Sequence, residues 1–477
     1  MSFDHERENR ALGLGQGPAK GWVILGLLAA LVALTGGASR FDAIQIIPLR
    51  TLAAFFFIPA LFYMTAKRAK DERTLLVLFA CFVTLVMVQL LPLPPELWKE
   101  LPGRGDVFRL DAALGFDGVW RPLTMTPTRT WNVLGSLVVP AAGLLLAVAC
   151  NASALTLLRL IATLGVLSAI LGLLQVISGG SSPLYLYELT NRGGAVGILA
   201  NENHAAFFAA CSMLVVASLG IRVREVPGHA WERLIYPAAF FLILIASLTG
   251  GSRAGFAASL GAVVMSALVL ASAQRTRHSH FAARADSRWL DKHPRVVLAL
   301  PVVLVLVVAG AFIVLDRTPA FRDIIATDSF ADLRWSMWPV MGEMLESHWV
   351  LGAGLGSFEQ VYQTFEPADL LMPQYVNQAH NDWAQLIIEG GVFAAVLLIG
   401  LLAWIVRAVT ALFSCRPTRG QAVFWISIFA ILGLSSIIDY PLRTPLFQLV
   451  GIWLLLALSR DLSDMKVTQT EGIGESS

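Results

Sequence analysis

The residues of this 477-residue chain best suited to chemistry are arginines and histidines standing beside long apolar segments. A guanidinium is always charged and presents a fork of donors that matches phosphate oxygens, so an arginine at the level of lipid headgroups can hold a diphosphate. The structural alternative is an arginine that only reaches toward the headgroups. Four arginines have such positions: Arg192, Arg253, Arg334 and Arg443.

Arg253 has the most favourable surroundings of the four. It lies within Gly250-Gly-Ser-Arg-Ala-Gly255, where small residues leave the backbone open at the start of an apolar segment. The positive end of the following helix would add to the attraction for an anion. Helix packing through glycine and serine is the competing interpretation, and we favour anion binding.

The segment His380-Asn381-Asp382 supplies a candidate base. Histidine is the side chain best suited to accept a proton near neutral pH. Asn381 or Asp382 can cap the helix that continues into the membrane, which leaves His380 at the membrane surface. We therefore predict His380 as a catalytic residue, together with Arg253 and Arg334.

Two further polar motifs allow more than one interpretation. The segment Asn201-Glu-Asn-His204 opens an apolar segment and could bind sugar hydroxyls, orient an arginine or cap a helix. In the turn Asp439-Tyr-Pro-Leu-Arg443, the acid and the base could simply neutralise each other. The predicted substrate-binding residues are Arg192, Asn201, His204, Asn381 and Arg443.

The composition excludes several classes of protein. Hydrophobic residues make up 56% of the chain and charged residues 14%, a bias that lipid contact explains and a soluble core does not. A net charge of +2 gives no electrostatic case for nucleic acid. The four cysteines share no metal-ligand spacing, and neither an Asp-x-Asp pair nor a nucleotide phosphate loop is present. We expect no metal and no cofactor.

Twelve apolar segments are long enough, or nearly so, to cross about 30 Å of hydrocarbon. They are Trp22–Gly36, Ile44–Tyr63, Leu75–Leu91, Val133–Cys150, Leu157–Ile177, Ala205–Gly220, Ile235–Leu248, Gly255–Ala271, Val296–Leu315, Val392–Val409, Val423–Ile438 and Leu446–Leu458. The sequence therefore predicts an all-α polytopic membrane protein with about twelve transmembrane helices.

The distribution of Lys and Arg predicts the orientation. Alternate connections, counted from the N-terminus, are rich in these residues, as cytoplasmic loops are. With an even number of spans, both termini are cytoplasmic. We predict cytoplasmic tails at 1–20 and 461–477, the latter disordered. Transmembrane helices fill 21–315 and 383–460, and one large structured periplasmic loop fills 316–382.

The large loop contains its own structural signals. Ser329-Phe-Ala-Asp332 resembles a capping box, and Leu333, Met337, Met341 and Leu345 follow every four residues. This pattern predicts an amphipathic helix that lies on the membrane or roofs a cavity. The glycine-rich segment that follows, 351–357, lacks the spacing of a dinucleotide site and predicts a tight turn.

Taken in order, these motifs resemble those of the O-antigen ligase and polymerase superfamily. The resemblance covers Asn191 to Gly391, and Glu202 stands where relatives often have proline. The motifs that carry it are Arg192–His204, Leu248–Gly255, Arg334-Trp335, Gly352–Phe358, His380-Asn381 and Glu389–Gly391. Two flanking segments, Leu91–Trp98 and Asp439–Arg443, resemble the exopolysaccharide branch.

The resemblance implies a glycosyltransferase C-like enzyme of the bacterial inner membrane. Its donor would be a glycan on undecaprenyl diphosphate, transferred without metal and with inversion to a sugar hydroxyl. Arg253 and Arg334, with Arg192 in support, would bind the diphosphate, and His380 would accept or orient the acceptor hydroxyl. The acceptor is a glycan for a polymerase, which the flanking motifs favour, or lipid A-core for a ligase.

A transporter or flippase for lipid-linked glycans is the alternative from a different class. Such a protein would be expected to show a two-fold repeat and ionisable residues near the middle of the membrane. Here no repeat is visible, and the polar residues gather at the outer boundary of the predicted spans.

Overall fold

A computed structural model describes residues 21–223, 232–281, 329–371, 376–415 and 418–474. Almost all of the regular secondary structure in the described chain is helical, which confirms the predicted all-α membrane fold. Its one sheet has two short antiparallel strands, β1 (Pro92–Leu93) and β2 (Arg121–Pro122), with Pro92 opposite Pro122 and Leu93 opposite Arg121.

The helices are numbered here along the described chain. Those of the first half are α1 (Gly21–Thr35), α2 (Ile46–Phe55), α3 (Phe57–Tyr63), α4 (Ala66–Asp71), α5 (Arg73–Gln89), α6 (Pro95–Trp98), α7 (Gly105–Ala113), α8 (Pro127–Ser136), α9 (Val138–Ala149) and α10 (Ala154–Ser178). Those of the second half are α11 (Glu202–Arg222), α12 (Glu232–Leu248), α13 (Arg253–Phe281), α14 (Ser329–His348), α15 (Phe358–Phe365), α16 (Asp382–Ser414), α17 (Arg419–Ile438) and α18 (Pro445–Gly474). Short 3₁₀ turns lie at Ala368–Leu370 and Pro441–Arg443.

Eight segments of the described chain are long and apolar enough to cross a membrane, and three shorter apolar helices accompany them. Each of these eleven segments corresponds to one of the twelve predicted spans. The remaining prediction, Val296–Leu315, lies outside the described residues. Hydropathy succeeds here because a lipid-spanning segment must satisfy every backbone polar group within its own helix.

The centre of the helix assembly is α11, which packs against α10, α12, α13 and α17. Small residues permit the close approach. A Cβ added at Gly255 would overlap that of Ala206, and one added at Gly165 would overlap the side chain of Ser212. Such contacts between small residues are the usual means of packing helices that share a lipid environment.

We call the side of the helix assembly on which His380 lies the His380 side. A smaller unit covers the ends of the spans on this side. Helices α14 and α15 share an apolar cluster in which Met337, Met341 and Met344 pack with Phe358 and Tyr362. The positions of the four-residue repeat whose side chains the structure describes, Met337, Met341 and Leu345, therefore do lie on the packed face of α14. The start of this helix coincides with the predicted capping box, although the side chains of 329–334 lie outside the described set.

The predicted disorder after Asp461 is wrong over 462–474, since α18 continues to Gly474. Asp461 is buried and accepts two hydrogen bonds from Arg222, at 2.8 and 2.7 Å, and one from the Trp425 indole at 2.9 Å. These contacts hold the helix beyond its apolar part. A helix fixed at one end propagates readily, because each added residue gains a backbone hydrogen bond without a new nucleation step.

Candidate active site

His380 and Asp439 form a hydrogen-bonded pair where the helices α16, α17 and α18 meet. The His380 Nδ1 lies 3.2 Å from Asp439 Oδ1. His380 immediately precedes the cap of α16, and Asp439 directly follows the last residue of α17. The two residues are 59 positions apart, so the pairing is a product of the fold.

The Asp439 carboxylate is fully buried and surrounded by donors. Its Oδ2 accepts from the Asn203 side chain at 2.7 Å, and its Oδ1 also accepts from the Tyr440 backbone at 3.0 Å. His204 Nε2 lies 3.8 Å from the same Oδ1. Burial raises the pKa of Asp439, but the proximity of His204 and His380 outweighs it and holds the pKa well below its usual range. The carboxylate is therefore ionised at neutral pH.

The backbone at His380 has a conformation that side chains rarely adopt. Its φ is +49°, in the left-handed region. Such a conformation costs about 1–2 kcal/mol for a residue with a Cβ and persists only where the surroundings enforce it. Asn381 enforces it here, because its side chain accepts from the backbone N–H groups of Trp383 and Ala384 and fixes the start of α16. Tyr440 packs edge-on against the His380 ring, with 4.9 Å between ring centroids.

This geometry selects one chemical role for His380. When the imidazole is neutral and Nδ1 donates to Asp439, the lone pair is on Nε2, which is then the nitrogen that accepts a proton. A buried carboxylate behind Nδ1 also stabilises the imidazolium that forms. The His380 side chain is partly exposed, whereas Asp439 is sealed from solvent. The pair can therefore act as a general base toward a hydroxyl.

One interpretation of the sequence had Arg443 neutralise Asp439, and the structure shows different partners for Arg443. Its Nη1 lies 3.0 Å from Glu389 Oε2, and its Nε lies 3.5 Å from Asp382 Oδ1. The 3₁₀ turn Pro441–Arg443 explains the change, because it directs Arg443 toward α16 while Asp439 faces α11. Two carboxylates share one guanidinium, and they raise the pKa of Arg443 against the opposing effect of burial.

The glycine-rich segment 351–357 builds the tight turn that the sequence predicts. Gly352, Gly354 and Gly356 all have positive φ, at 75°, 114° and 91°. The backbone of this segment pairs with α16, where Ala353 and Gly354 donate to the carbonyls of Ile388 and Glu389 at 2.9 Å. Gly391 interrupts α16 with a φ of +63° and makes room for this pairing. The turn thereby fixes the position of the buried Glu389.

The segment Asn201–His204 joins the two arginine motifs to the His380–Asp439 pair. Asn201 caps α11, accepting from the backbone of Asn203 and His204, whose side chains lie at Asp439. The Glu202 carboxylate lies against Gly251, where an added Cβ would come within 2.7 Å of Oε2. It also lies near Gly194. The cap interpretation and the substrate-site interpretation of this segment are therefore compatible.

The predicted arginines occupy different parts of this arrangement. Arg253 is the first residue of α13, two positions after Gly251. Arg192 is exposed, donates to the Gly180 carbonyl at 3.1 Å and stacks over Tyr185. Arg334 lies in the first turns of α14, with its side chain outside the described set.

Three functional candidates were missed in the sequence. Asp439 was considered only as the partner of the nearby Arg443, and Asp382 only as a helix cap. Glu389 lies inside a candidate span, and a charged residue in an apolar helix was the available signal for it. Nothing local in the sequence could have identified Asp439 as the partner of His380.

Within the described ranges, no three residues among His, Cys, Asp and Glu are placed to hold a metal ion. Residues 238–399 match the family model described as O-antigen ligase, which supports membership of the O-antigen ligase and polymerase superfamily. The matched segment contains Arg253, the glycine-rich turn, His380 and Glu389. No curated protein matches the chain.

Proposed function

We propose that this chain is a membrane glycosyltransferase of the O-antigen ligase and polymerase superfamily, with His380 as its general base. In this proposal the donor is a glycan linked to undecaprenyl diphosphate, and the acceptor is a sugar hydroxyl. The reaction takes place at the periplasmic face of the bacterial inner membrane. The observation that carries the proposal is the hydrogen bond between His380 and the buried Asp439 carboxylate.

The proposed reaction is a single displacement. The acceptor hydroxyl gives its proton to His380 Nε2 as its oxygen attacks the anomeric carbon. The bond between that carbon and the diphosphate oxygen breaks, and its electron pair leaves with the diphosphate. Attack from the opposite face inverts the anomeric configuration. Asp439 keeps the imidazole oriented and offsets the positive charge that it gains, which is the role of a carboxylate behind a catalytic histidine.

The leaving group needs electrostatic stabilisation rather than chemistry. A diphosphate is already a good leaving group, and its growing charge is stabilised by guanidinium groups fixed in a site of low dielectric. Arg253 and Arg334, with Arg192 in support, are proposed for this role. Because arginines supply the positive charge, the transfer requires no metal ion.

A polymerase and a ligase differ only in the acceptor. We propose a polymerase that joins repeat units of a surface polysaccharide or exopolysaccharide, on the resemblance of Leu91–Trp98 and Asp439–Arg443 to that branch. The second candidate is a ligase that transfers the glycan to lipid A-core. The description of the matched family favours this second function.

The test uses a deletion strain complemented with the wild type, His380→Ala or Asp461→Asn. Asp461→Asn is the matched control, since it alters a buried, hydrogen-bonded side chain at the opposite end of the spans. Surface glycan and lipid-linked intermediates are then resolved on gels, with protein levels compared by immunoblot. We expect His380→Ala to behave as the deletion and Asp461→Asn to retain transfer in proportion to its abundance.

The gel profiles separate the two functions. Loss of long chains, with single repeat units still made, identifies a polymerase. Long chains that accumulate on the lipid carrier, with none on lipid A-core, identify a ligase. An unaltered profile for well-expressed His380→Ala would rule out this residue as the base, and an unaltered profile for the deletion would refute glycosyl transfer altogether.

A further inference from the structure

Helix α16 carries three buried polar side chains on one face, directly after His380. They are Asp382, Gln385 and Glu389, whose spacing of three and four residues places them on one side of the helix. None of them is more than 5% exposed. A buried polar group is costly unless it is hydrogen-bonded, so each of these side chains needs partners. The partners lie on the two chain segments that carry His380 and Asp439.

Gln385 holds the chain segment that precedes His380. Its Oε1 accepts a hydrogen bond from the backbone N–H of Ala379 at 3.0 Å, and its Nε2 donates to Gln378 Oε1 at 2.6 Å. Asn381 fixes the chain on the other side of His380, at the start of α16. The left-handed backbone of His380 is thus held at both of its neighbours.

Asp382 holds the chain segment that follows Asp439. Its Oδ2 accepts from the backbone N–H of Leu442 at 3.1 Å, and its Oδ1 lies 3.5 Å from Arg443 Nε. Both of these partners belong to the 3₁₀ turn Pro441–Arg443, which begins two positions after Asp439. A side chain at the start of α16 therefore fixes the turn that leads away from the catalytic carboxylate.

Glu389 connects these two sets of contacts. Its Oε1 accepts from Gln385 Nε2 at 2.9 Å and from the backbone N–H of Phe358, the first residue of α15, at 3.2 Å. Its Oε2 accepts from Arg443 Nη1 at 3.0 Å. We call four side chains the α16 network: Asp382, Gln385, Glu389 and Arg443. This hydrogen-bonded network runs without a break from the segment before the catalytic histidine to the turn after its carboxylate partner.

We propose that the α16 network consists of positioning residues, which set the hydrogen bond between His380 and Asp439 without touching the reacting atoms. The inference rests on the proposed function, because that function makes His380 the general base. A misplacement of about 1 Å can lower a rate on the order of a hundredfold, so the support of both partners matters for transfer. The same four residues line a cavity of about 450 Å³. Direct contact with substrate is therefore the competing role, and the test separates the two.

The test uses two variants of the full-length protein, purified in detergent. Gln385→Met has a side chain of similar length but loses all three hydrogen bonds of the glutamine. Asp382→Asn loses the charge that pairs with Arg443 and keeps an oxygen that can accept from Leu442. The second variant is the milder one, and it keeps the proposal testable if Gln385→Met fails to fold.

Gln175→Met is the matched control. Gln175 is as deeply buried as Gln385, and its side chain also makes three hydrogen bonds, which hold the backbone of Leu184 and Gly197. The control therefore removes the same groups from a similar environment, and it leaves the contacts of the α16 network in place.

Two measurements are made on each protein. The first is the rate at which diethyl pyrocarbonate modifies His380, followed by mass spectrometry across a range of pH. This reagent attacks the neutral imidazole, so the pH profile shows how strongly Asp439 stabilises the protonated form, and no turnover is needed. The second is the rate of glycan transfer at saturating donor, together with the KM for the donor, per amount of folded protein.

We expect Gln385→Met to lower the saturating transfer rate on the order of ten- to a hundredfold and to leave the donor KM unchanged. Its profile of His380 modification should move to lower pH, because an imidazolium held less well by Asp439 is less stable. Asp382→Asn should show the same changes to a smaller extent. Gln175→Met should lower the melting temperature and keep the wild-type profile.

Two results would overturn the proposal. One is a profile of His380 modification that stays at the wild-type position in every folded variant of the α16 network. The other is a raised donor KM with an unchanged saturating rate, which would assign the network to the substrate site. A wild-type protein that transfers no glycan would refute the proposed function, whereas a shifted profile in Gln385→Met would still support the positioning role.

Discussion

Asp439 illustrates how one buried residue can define a site. Its carboxylate lies against both His380 and His204, and two further donors hold it in place. A carboxylate with this many partners cannot easily leave the site. Its burial is tolerated because the neighbouring imidazoles and amide satisfy it. The orientation of His380 therefore depends on this residue.

We expect Asp439→Asn to lower the rate of glycan transfer on the order of a hundredfold or more. The amide has the same shape but cannot stabilise an imidazolium, and it can donate to Nδ1 and select the wrong tautomer. Transfer is measured as the initial rate of chain growth per amount of folded protein. Asp461→Asn serves again as the control, and a rate equal to the wild type would remove Asp439 from the mechanism.

His348 offers a second prediction at the scale of one residue. Burial, aided by the charge of Arg104, lowers the pKa of His348 to about 4. In the unfolded chain a histidine has a pKa of about 6.5, so below that pH the unfolded state binds a proton that the folded state does not. Stability contributed in this way is present above pH 6.5 and is lost as the pH falls toward 4.

The loss at pH 5, relative to pH 7.5, amounts to about 2 kcal/mol. We expect His348→Leu to remove much of this acid sensitivity, besides any change in stability at neutral pH that follows from altered packing against Gly103 and Phe365. Melting temperatures of both proteins at the two pH values measure the difference. An equal drop in melting temperature for the variant would contradict the assignment.

At the scale of elements, spans could be predicted and contacts could not. Continuous apolar segments reveal membrane helices directly, because the backbone of each span must satisfy itself. Pairings between distant residues, such as His380 with Asp439, depend on how the helices are arranged around α11. For Arg443 the sequence suggested the acid four positions away, whereas the fold supplies Glu389 and Asp382. The end of α18 was missed for the same reason, since Arg222 anchors it from another helix.

The glycine-rich turn gives the prediction that belongs to this scale. We expect Gly354→Ala to lower the free energy of unfolding by at least about 2 kcal/mol, because φ is +114° and the added Cβ would overlap Thr124. The rate of glycan transfer should fall as well, since the turn positions Glu389. Gly342→Ala is the control, because that glycine is helical and has open space around it. The control should be neutral or stabilising by about 0.5–1 kcal/mol.

Thermal unfolding followed by fluorescence, together with the transfer rate of each variant, tests this prediction. A Gly354→Ala protein that melts with the wild type would show that the turn adapts without cost. A loss of the same size in Gly342→Ala would show that the effect arises from helix α14 as a whole.

At the scale of the whole molecule, the polar clusters separate into two layers. Asn203 and Arg222 lie near opposite ends of α11, about 28 Å apart along its axis, close to the thickness of a hydrocarbon core. The His380 side carries the catalytic candidates His380 and Asp439. The opposite side carries structural pairs, in which Arg222 binds Asp461 and Arg460 binds Glu72.

Both ends of the described chain reach the side opposite His380. The carbonyl of Gly36, just after α1, accepts from Leu446 at the start of α18, so these two helix ends meet on the His380 side. The start of α1 and the end of α18 therefore face the other way. Since Lys and Arg are concentrated in the connections of that opposite side, the positive-inside tendency predicts that this side faces the cytoplasm.

This orientation predicts which positions a membrane-impermeant thiol reagent reaches in intact spheroplasts. Asp117→Cys, in an exposed connection on the His380 side, should be labelled at once. Lys70→Cys and Ser463→Cys, both exposed on the opposite side, should be labelled only after permeabilisation. The four native cysteines are first replaced by serine or alanine, and transfer by that protein confirms its fold. Labelling in the reverse order would place His380 on the cytoplasmic side, away from a lipid-linked donor in the outer leaflet. That result would refute the proposed reaction.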